Sequence, residues 1–179
     1  AAIRNDIDEQ VKLWTEIAFK SKKTSANRSF RSSAARSLGS HYFRQPDFDK
    51  AVMALKTYYG KSEHGMVQQV HGLGGSGISA LHGSLATRAK AEKLAKQVLS
   101  FVEHHLPIDL TEEGARDRLR DYLNRIAGTH AGLDRDKRVM ETYERLGKLL
   151  GMDDDIRSSI ATWHKKKLRR DLARRIYGQ

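Results

Sequence analysis

The chain has 179 residues, a formal net charge of +11, 39% hydrophobic and 31% charged residues, and no cysteine. That length fits one domain, or one domain with an arm, and the apolar fraction fills a modest core of thin helical layers or one completed by neighbouring subunits. Lack of cysteine excludes disulfides, thiolate zinc sites and cysteine nucleophiles, and a pI of about 9.9 groups the chain with binders of nucleic acid or anionic surfaces.

No run approaches the ~20 apolar residues of a membrane span. No apolar stretch of signal-peptide type opens the sequence, so no leader is expected in it. Only Pro46 and Pro107 interrupt a chain rich in Ala, Leu, Lys, Arg and Glu, which points to helix. Strand-length alternation is missing and helical spacing recurs. The expected fold is all-α: an N-terminal helix–bend–helix basic arm over residues 1–60, then a compact helical bundle over 61–179 that serves self-assembly.

In chain order, Asn5 or Asp6 with Asp8 and Glu9 marks a helix start, and Ile7, Val11, Trp14 and Ala18 form its apolar stripe. The polar stretch Ser21–Asn27 reads as a bend. Phe30, Ala34, Leu38 and Tyr42 make a second stripe. Pro46, Asp47 and Asp49 restart the chain, Phe48, Val52, Leu55 and Tyr59 form the third stripe, and Gly60 stops it. Ser62 and Glu63 open a short helix carrying Met66, Val67 and Val70.

From His64 to Thr87 there is no Asp, Glu, Lys or Arg, and six of the 14 glycines lie there. This reads as a loop or as a tightly packed helix–helix contact. A long helix then runs to about His105 with Leu94, Val98, Phe101 and Val102 inward, and Pro107 ends that segment. Thr111, Glu112 and Glu113 start a helix with Ala115, Leu119, Tyr122 and Ile126 on one face, ending at Gly128. Asp134 begins the next, with Val139, Tyr143, Leu146 and Leu150 as its stripe and Gly151 as its end. Asp153, Asp154 and Asp155 open the last helix, striped by Ile156, Ile160, Trp163, Leu168, Leu172 and Ile176.

The chemistry concentrates near the front. From Ile17 to Pro46 no carboxylate occurs, while Lys20, Lys22, Lys23, Arg28, Arg31, Arg36 and Arg44 are interleaved with Phe19, Phe30, His41, Tyr42 and Phe43. Such a window cannot neutralise itself, and a phosphate backbone is the commonest external source of negative charge. A solvated surface helix, the plainer reading, usually mixes signs. With Lys50 these seven bases form the candidate nucleic-acid-binding set. Ser and Asn supply neutral donors to phosphate oxygens, and the aromatics could stack on bases. About seven neutralised phosphates give a salt slope near −6. Lys165, Lys166, Lys167, Arg169 and Arg170 form a secondary basic set, for which solubility and helix capping are competing uses.

Other motifs carry less. Leu146 to Met152 followed by Ile156, Ile160 and Trp163 has helix-turn-helix spacing, but Asp153–Asp155 would repel phosphate at the recognition end. Gly72-Leu73-Gly74-Gly75-Ser76-Gly77 matches the letters of a dinucleotide motif without the strand that must precede it. Gly60-Lys61-Ser62 lacks the first glycine of a P-loop, because position 55 is leucine. His104 and His105 are adjacent and cannot chelate as an i, i+4 pair would, and His64, His71 and His82 have no carboxylates near them in sequence. Asn27-Arg28-Ser29 matches the glycosylation sequon by letters only. No Ser/His/Asp grouping or carboxylate pair suggests catalysis. The reading is therefore no enzyme, no cofactor and no metal.

Asn27-Arg28-Ser29-Phe30-Arg31-Ser32-Ser33 and Ser40-His41-Tyr42-Phe43-Arg44, in a basic helical arm ahead of a bundle, resemble the major coat proteins of filamentous and rod-shaped archaeal DNA viruses. The resemblance is one of architecture and composition over about the first third. It implies paired coat subunits whose helical arms wrap A-form double-stranded DNA, with the bundles as the filament wall and the seven window bases facing phosphate. The expected function is structural: sequence-independent DNA packaging with self-assembly into a filament, a copy of itself or a paralogous coat subunit as partner, and a virion (or cytoplasm and nucleoid, if cellular) as location. The competing reading is a helix-turn-helix regulator or DNA-processing accessory module using residues 139–176.

Overall fold

The structure is a computed structural model and describes residues 2–177, with side chains described for 6–176. Among the described residues the fold is all-helical. Its helices are α1 (Ala2–Thr15), running into a π-helical turn at Glu16–Lys20, α2 (Arg28–Arg44), α3 (Phe48–Tyr59), α4 (Glu63–His82), α5 (Arg88–His104), α6 (Ala115–Gly132), α7 (Asp136–Leu150) and α8 (Asp154–Tyr177). The chain forms two compact units, Ala1–His105 and Leu106–Gln179.

In the first unit α2 is central and packs against α1, α3 and α4. Its Ala34, Ala35, Leu38, Gly39 and Phe43 are buried, a helical face made mostly of small residues. Gly39 brings the backbone close to Leu55 of α3: a Cβ there would stand 3.1 Å from Leu55 Cδ2. A smaller cluster joins Ala18, Ala34, Leu38 and Ala54, with Val11, Trp14, Ile17 and Tyr42 against it. Each fully buried large apolar side chain contributes roughly 1.5–3 kcal/mol.

Residues 1–60, expected to form the basic helical arm, lie in one compact unit with α4 and α5, and that unit runs to His105. Phe30, placed in the α2 stripe by spacing, is 66% exposed, whereas Phe43 has no accessible surface.

The helix starts at α3 and α4 follow the sequence. Asp47 accepts a hydrogen bond from the Lys50 amide at 3.2 Å, and Ser62 Oγ accepts from the Gly65 amide at 3.1 Å. The helix begun at Ser62 is not short, however; it continues through the uncharged glycine-rich stretch to His82. Of the two readings of that stretch, the close helix contact is the one found. A Cβ at Gly74 would lie 2.6 Å from Val98 Cγ2, and one at Gly77 would lie 2.7 Å from the Phe43 carbonyl oxygen. α5 buries Ala91, Leu94, Ala95, Val98, Leu99 and Val102, the i, i+3, i+4, i+7 pattern of an amphipathic helix.

In the second unit α6 and α7 pack along each other, burying Leu119, Tyr122, Leu123 and Ile126 with Val139, Tyr143 and Leu146. α6 passes through Gly128, expected as its end, and stops at Gly132. Gly128 is exposed with nothing within 4 Å of a Cβ position, so nothing there breaks the helix. α8 starts where Asp153 accepts from the Ile156 amide at 3.0 Å. Its core face ends early: Ile156 and Trp163 are buried, but Leu168, Leu172 and Ile176 are 61%, 47% and 71% exposed. Ion pairs, not apolar contact, hold the second half of α8.

Candidate nucleic-acid interface

The eight candidate bases separate into three groups. Lys20 lies 3.9 Å from Glu16 and Lys50 lies 2.8 Å from Asp47, so both have local carboxylates. The Asp47 hydrogen bond raises the Lys50 ammonium above its ordinary value, and the reciprocal bond lowers the Asp47 carboxyl. Lys22, Lys23, Arg36 and Arg44 are exposed and make no ion pair among the described residues. Arg28 and Arg31 are tied to α3 by neutral partners. Arg28 Nε donates to Tyr58 Oη at 3.1 Å, which raises its already high pKa, and Arg31 Nη2 donates to the Thr57 carbonyl at 3.2 Å.

The aromatics divide as well. Phe19 and Phe30 are exposed, His41 and Tyr42 are half-buried, and Phe43 is buried with its ring centroid 6.1 Å from that of Phe48. Only the first two have free faces for stacking on a base.

Five of these bases, Lys23, Arg28, Arg31, Arg36 and Arg44, line two depressions of the first unit, whereas Lys20, Lys22, Lys50, Phe19 and Phe30 line neither. One, of about 550 Å³, is a groove where Gln10 and Trp14 of α1 face Ser33, Arg36, Ser37, Ser40, His41 and Arg44 of α2. Arg36 and Arg44 are eight residues apart, roughly 12 Å along the helix axis, with serine hydroxyls between them. The other, of about 720 Å³, lies where the start of α2 meets the end of α3 and the start of α4. Lys23, Arg28, Arg31, Lys56 and Lys61 line it together with Tyr58 and Tyr59. No described carboxylate lines either depression. A multiply anionic chain is the partner such a lining suits, because serine, tyrosine and arginine all donate to phosphate oxygens.

Lys56, Lys61, Tyr58 and Tyr59 belong to the second depression but fall outside the carboxylate-free window. The sequence signal for them was Lys56 and Lys61 on either side of the Tyr58-Tyr59-Gly60 turn.

The secondary basic set is partly neutralised. Lys167 pairs with Asp136 at 2.9 Å, and Arg170 with Asp134 at 2.6 Å and Asp136 at 3.1 Å. Lys165, Lys166 and Arg169 are exposed and unpaired among the described residues. Arg120 bridges Asp153 and Asp155, the second contact at 2.7 Å, which gives the acidic start of α8 a cation from within its own unit. Gly72–Gly77 lies inside α4, so no loop is formed there to cradle a pyrophosphate. No group of three or more His, Cys, Asp or Glu side chains able to hold a metal ion occurs among the described residues.

No family model matches the chain, and no curated protein or solved structure is similar to it.

Proposed function

We propose that the chain binds nucleic acid through the phosphate backbone without reading sequence, and packages it by self-association. One observation carries this reading: two depressions of the first unit gather bases, hydroxyls and aromatics and admit no described carboxylate. Binding of this kind depends on charge and counterion release, and needs neither base readout nor a reacting group. Because α2 is embedded in the core, the polyanion lies across the face of a folded unit rather than inside the grip of a free arm. Leu168, Leu172 and Ile176 recur every fourth residue on exposed turns of α8 and give copies of the chain an apolar contact. A coat-like role, with double-stranded DNA as cargo, is the form of this function that the resemblance suggests.

The regulator reading draws on the α7–turn–α8 geometry around Gly151. It is less well supported, because Asp153, Asp154 and Asp155 outnumber the guanidinium groups of Arg120 and Arg157 paired with them and leave the start of α8 acidic.

The test is titration of long duplex DNA of mixed sequence over a range of salt, followed by electron microscopy. Saturating binding without sequence preference, a steep negative salt slope and regular filaments are expected. Binding confined to one short site, at least about a thousandfold tighter than to random DNA, would overturn the reading in favour of a regulator. No binding to any nucleic acid at low salt would overturn it outright.

A further inference from the structure

We infer that the depression around Arg31 is a socket for a phosphomonoester dianion, and that on a nucleic acid it takes the phosphorylated strand end in preference to an internal phosphate. This deepens the reading above and rests on it for the source of the phosphate.

Arg31 is the unusual residue. It is only 8% exposed, yet it carries a charged guanidinium. No described carboxylate pairs with it. One of its five N–H groups meets the Thr57 carbonyl, while Nε is buried and has no acceptor among the described residues. A buried cation is tolerated when an anion and further hydrogen bonds compensate its lost hydration. A single carbonyl does not do that, and Arg31 lines the depression.

The surroundings add positive charge where neutralisation would be expected. Lys23, Arg28, Lys56 and Lys61 line the same depression, and their mutual repulsion opposes folding. Two of the side chains around it are held in place: Arg28 on Tyr58, and Tyr59 through a 3.0 Å hydrogen bond with Ser32. Ser62 and Gly65, at the amino end of the 20-residue α4, form part of the rim, and that end of a helix favours an anion. Arg31 is thus an independent, buried cation lining a site that helix geometry alone would not define.

Charge and shape choose the monoester. A terminal phosphate carries about −1.5 to −2 charges near neutrality, whereas an internal diester carries one and must leave the site in two directions. A concavity walled by α2, α3 and α4 accommodates a group with one substituent, and about 720 Å³ leaves room for the attached nucleoside beside Tyr58 and Tyr59.

The experiment uses the full chain and short duplexes of one sequence with 5′-phosphate or 5′-hydroxyl ends, read by fluorescence anisotropy at fixed salt. The phosphorylated duplex is expected to bind about tenfold more tightly. Lys61→Ala and Arg28→Ala, both at exposed positions, should lower affinity for the phosphorylated duplex more than for the hydroxyl-ended one and so erase that difference. Arg31→Lys, with its fold checked by circular dichroism, should do the same. A nucleoside 5′-monophosphate should compete away the difference, and inorganic phosphate should do so more weakly.

Equal affinity for the two ends, with hydroxyl-ended binding intact, overturns the socket and leaves backbone binding standing. Should neither duplex bind, the packaging reading fails, and the socket is then decided by calorimetry with the nucleoside monophosphate alone. Saturable binding that Lys61→Ala abolishes supports the socket; no heat of binding overturns it.

Discussion

Gly77 of α4 lies directly on the backbone of Phe43 in α2, so that a Cβ at position 77 would stand 2.7 Å from the Phe43 carbonyl oxygen and 3.0 Å from its carbonyl carbon. Backbone cannot swing aside as a flexible side chain can. Gly77→Ala is therefore expected to cost about 1–3 kcal/mol through overpacking. Gly75, two residues earlier, has nothing within 4 Å of its Cβ position; Gly75→Ala should stabilise by roughly 0.5–1 kcal/mol through helix propensity. Urea denaturation followed by circular dichroism separates the two, and equal destabilisation by both would refute the packing assignment.

Phe43 and Phe30 stand on opposite sides of α2. Truncating the buried ring in Phe43→Ala should cost about 3–5 kcal/mol. Phe30→Ala removes an exposed ring and should change stability by no more than about 0.5 kcal/mol. Thermal melts check both, and a large loss for Phe30→Ala would mean its ring is not free to meet a base.

Arg36 and Arg44 make no described ion pair, whereas Arg170 makes two. If the first two contact phosphates of a duplex, each alanine substitution should reduce the steepness of log K against log salt by about 0.9 and leave the melting curve nearly unchanged. Arg170→Ala should behave in reverse, lowering the melting temperature of the second unit without altering the salt slope. Identical slopes for Arg36→Ala, Arg44→Ala and the unaltered protein would remove the groove from the interface.

The second unit should weaken in two steps as pH falls. Burial, with the Arg135 and Arg138 charges, holds the His130 imidazole below its ordinary 6.5 despite Glu141. The unfolded chain therefore binds that proton first, and the stability present above about pH 6.5 declines as pH drops toward the lower folded value. Burial pushes the Asp136 carboxyl up, but hydrogen bonds and charge from Lys167 and Arg170 outweigh this and hold it below 3.8. Its contribution is complete above that value and disappears as pH falls through the folded one. His130→Gln should remove the upper step and Asp136→Asn should shrink the lower, to which the lowered carboxyls of Asp109 and Asp153 also contribute, read from urea midpoints across about pH 8 to 3. A single step unaffected by His130→Gln would show that the imidazole titrates normally.

Much of the helical pattern was legible because large apolar residues recur at helical spacing. Leu94, Val98 and Val102, or Leu119, Tyr122 and Ile126, face the core as their spacing requires. The role of α2 was not legible, since its core face is built from Ala34, Ala35 and Gly39. Small residues bury little area and look like padding until a neighbour such as Leu55 is seen against them. The end of the α8 stripe was hidden for the opposite reason: Leu168, Leu172 and Ile176 have core spacing, but Asp134 and Asp136 fix that half of the helix through its bases. Among the residues lining the two depressions, the carboxylate-free window includes Arg28, Arg36 and Arg44. It could not tell that Arg31 turns inward, because its acceptor, Thr57, lies 26 positions away.

The way charge is allotted within each unit has a consequence for how the protein tolerates electrolyte. In the second unit Arg120, Lys167, Arg170 and Arg174 are matched to aspartates, so mobile ions loosen attractions. In the first, Lys23, Arg28, Arg31, Lys56 and Lys61 crowd one another, so the same ions relieve a repulsion. Added salt is therefore expected to loosen the paired charges of the second unit and to ease the repulsion around the Arg31 depression of the first.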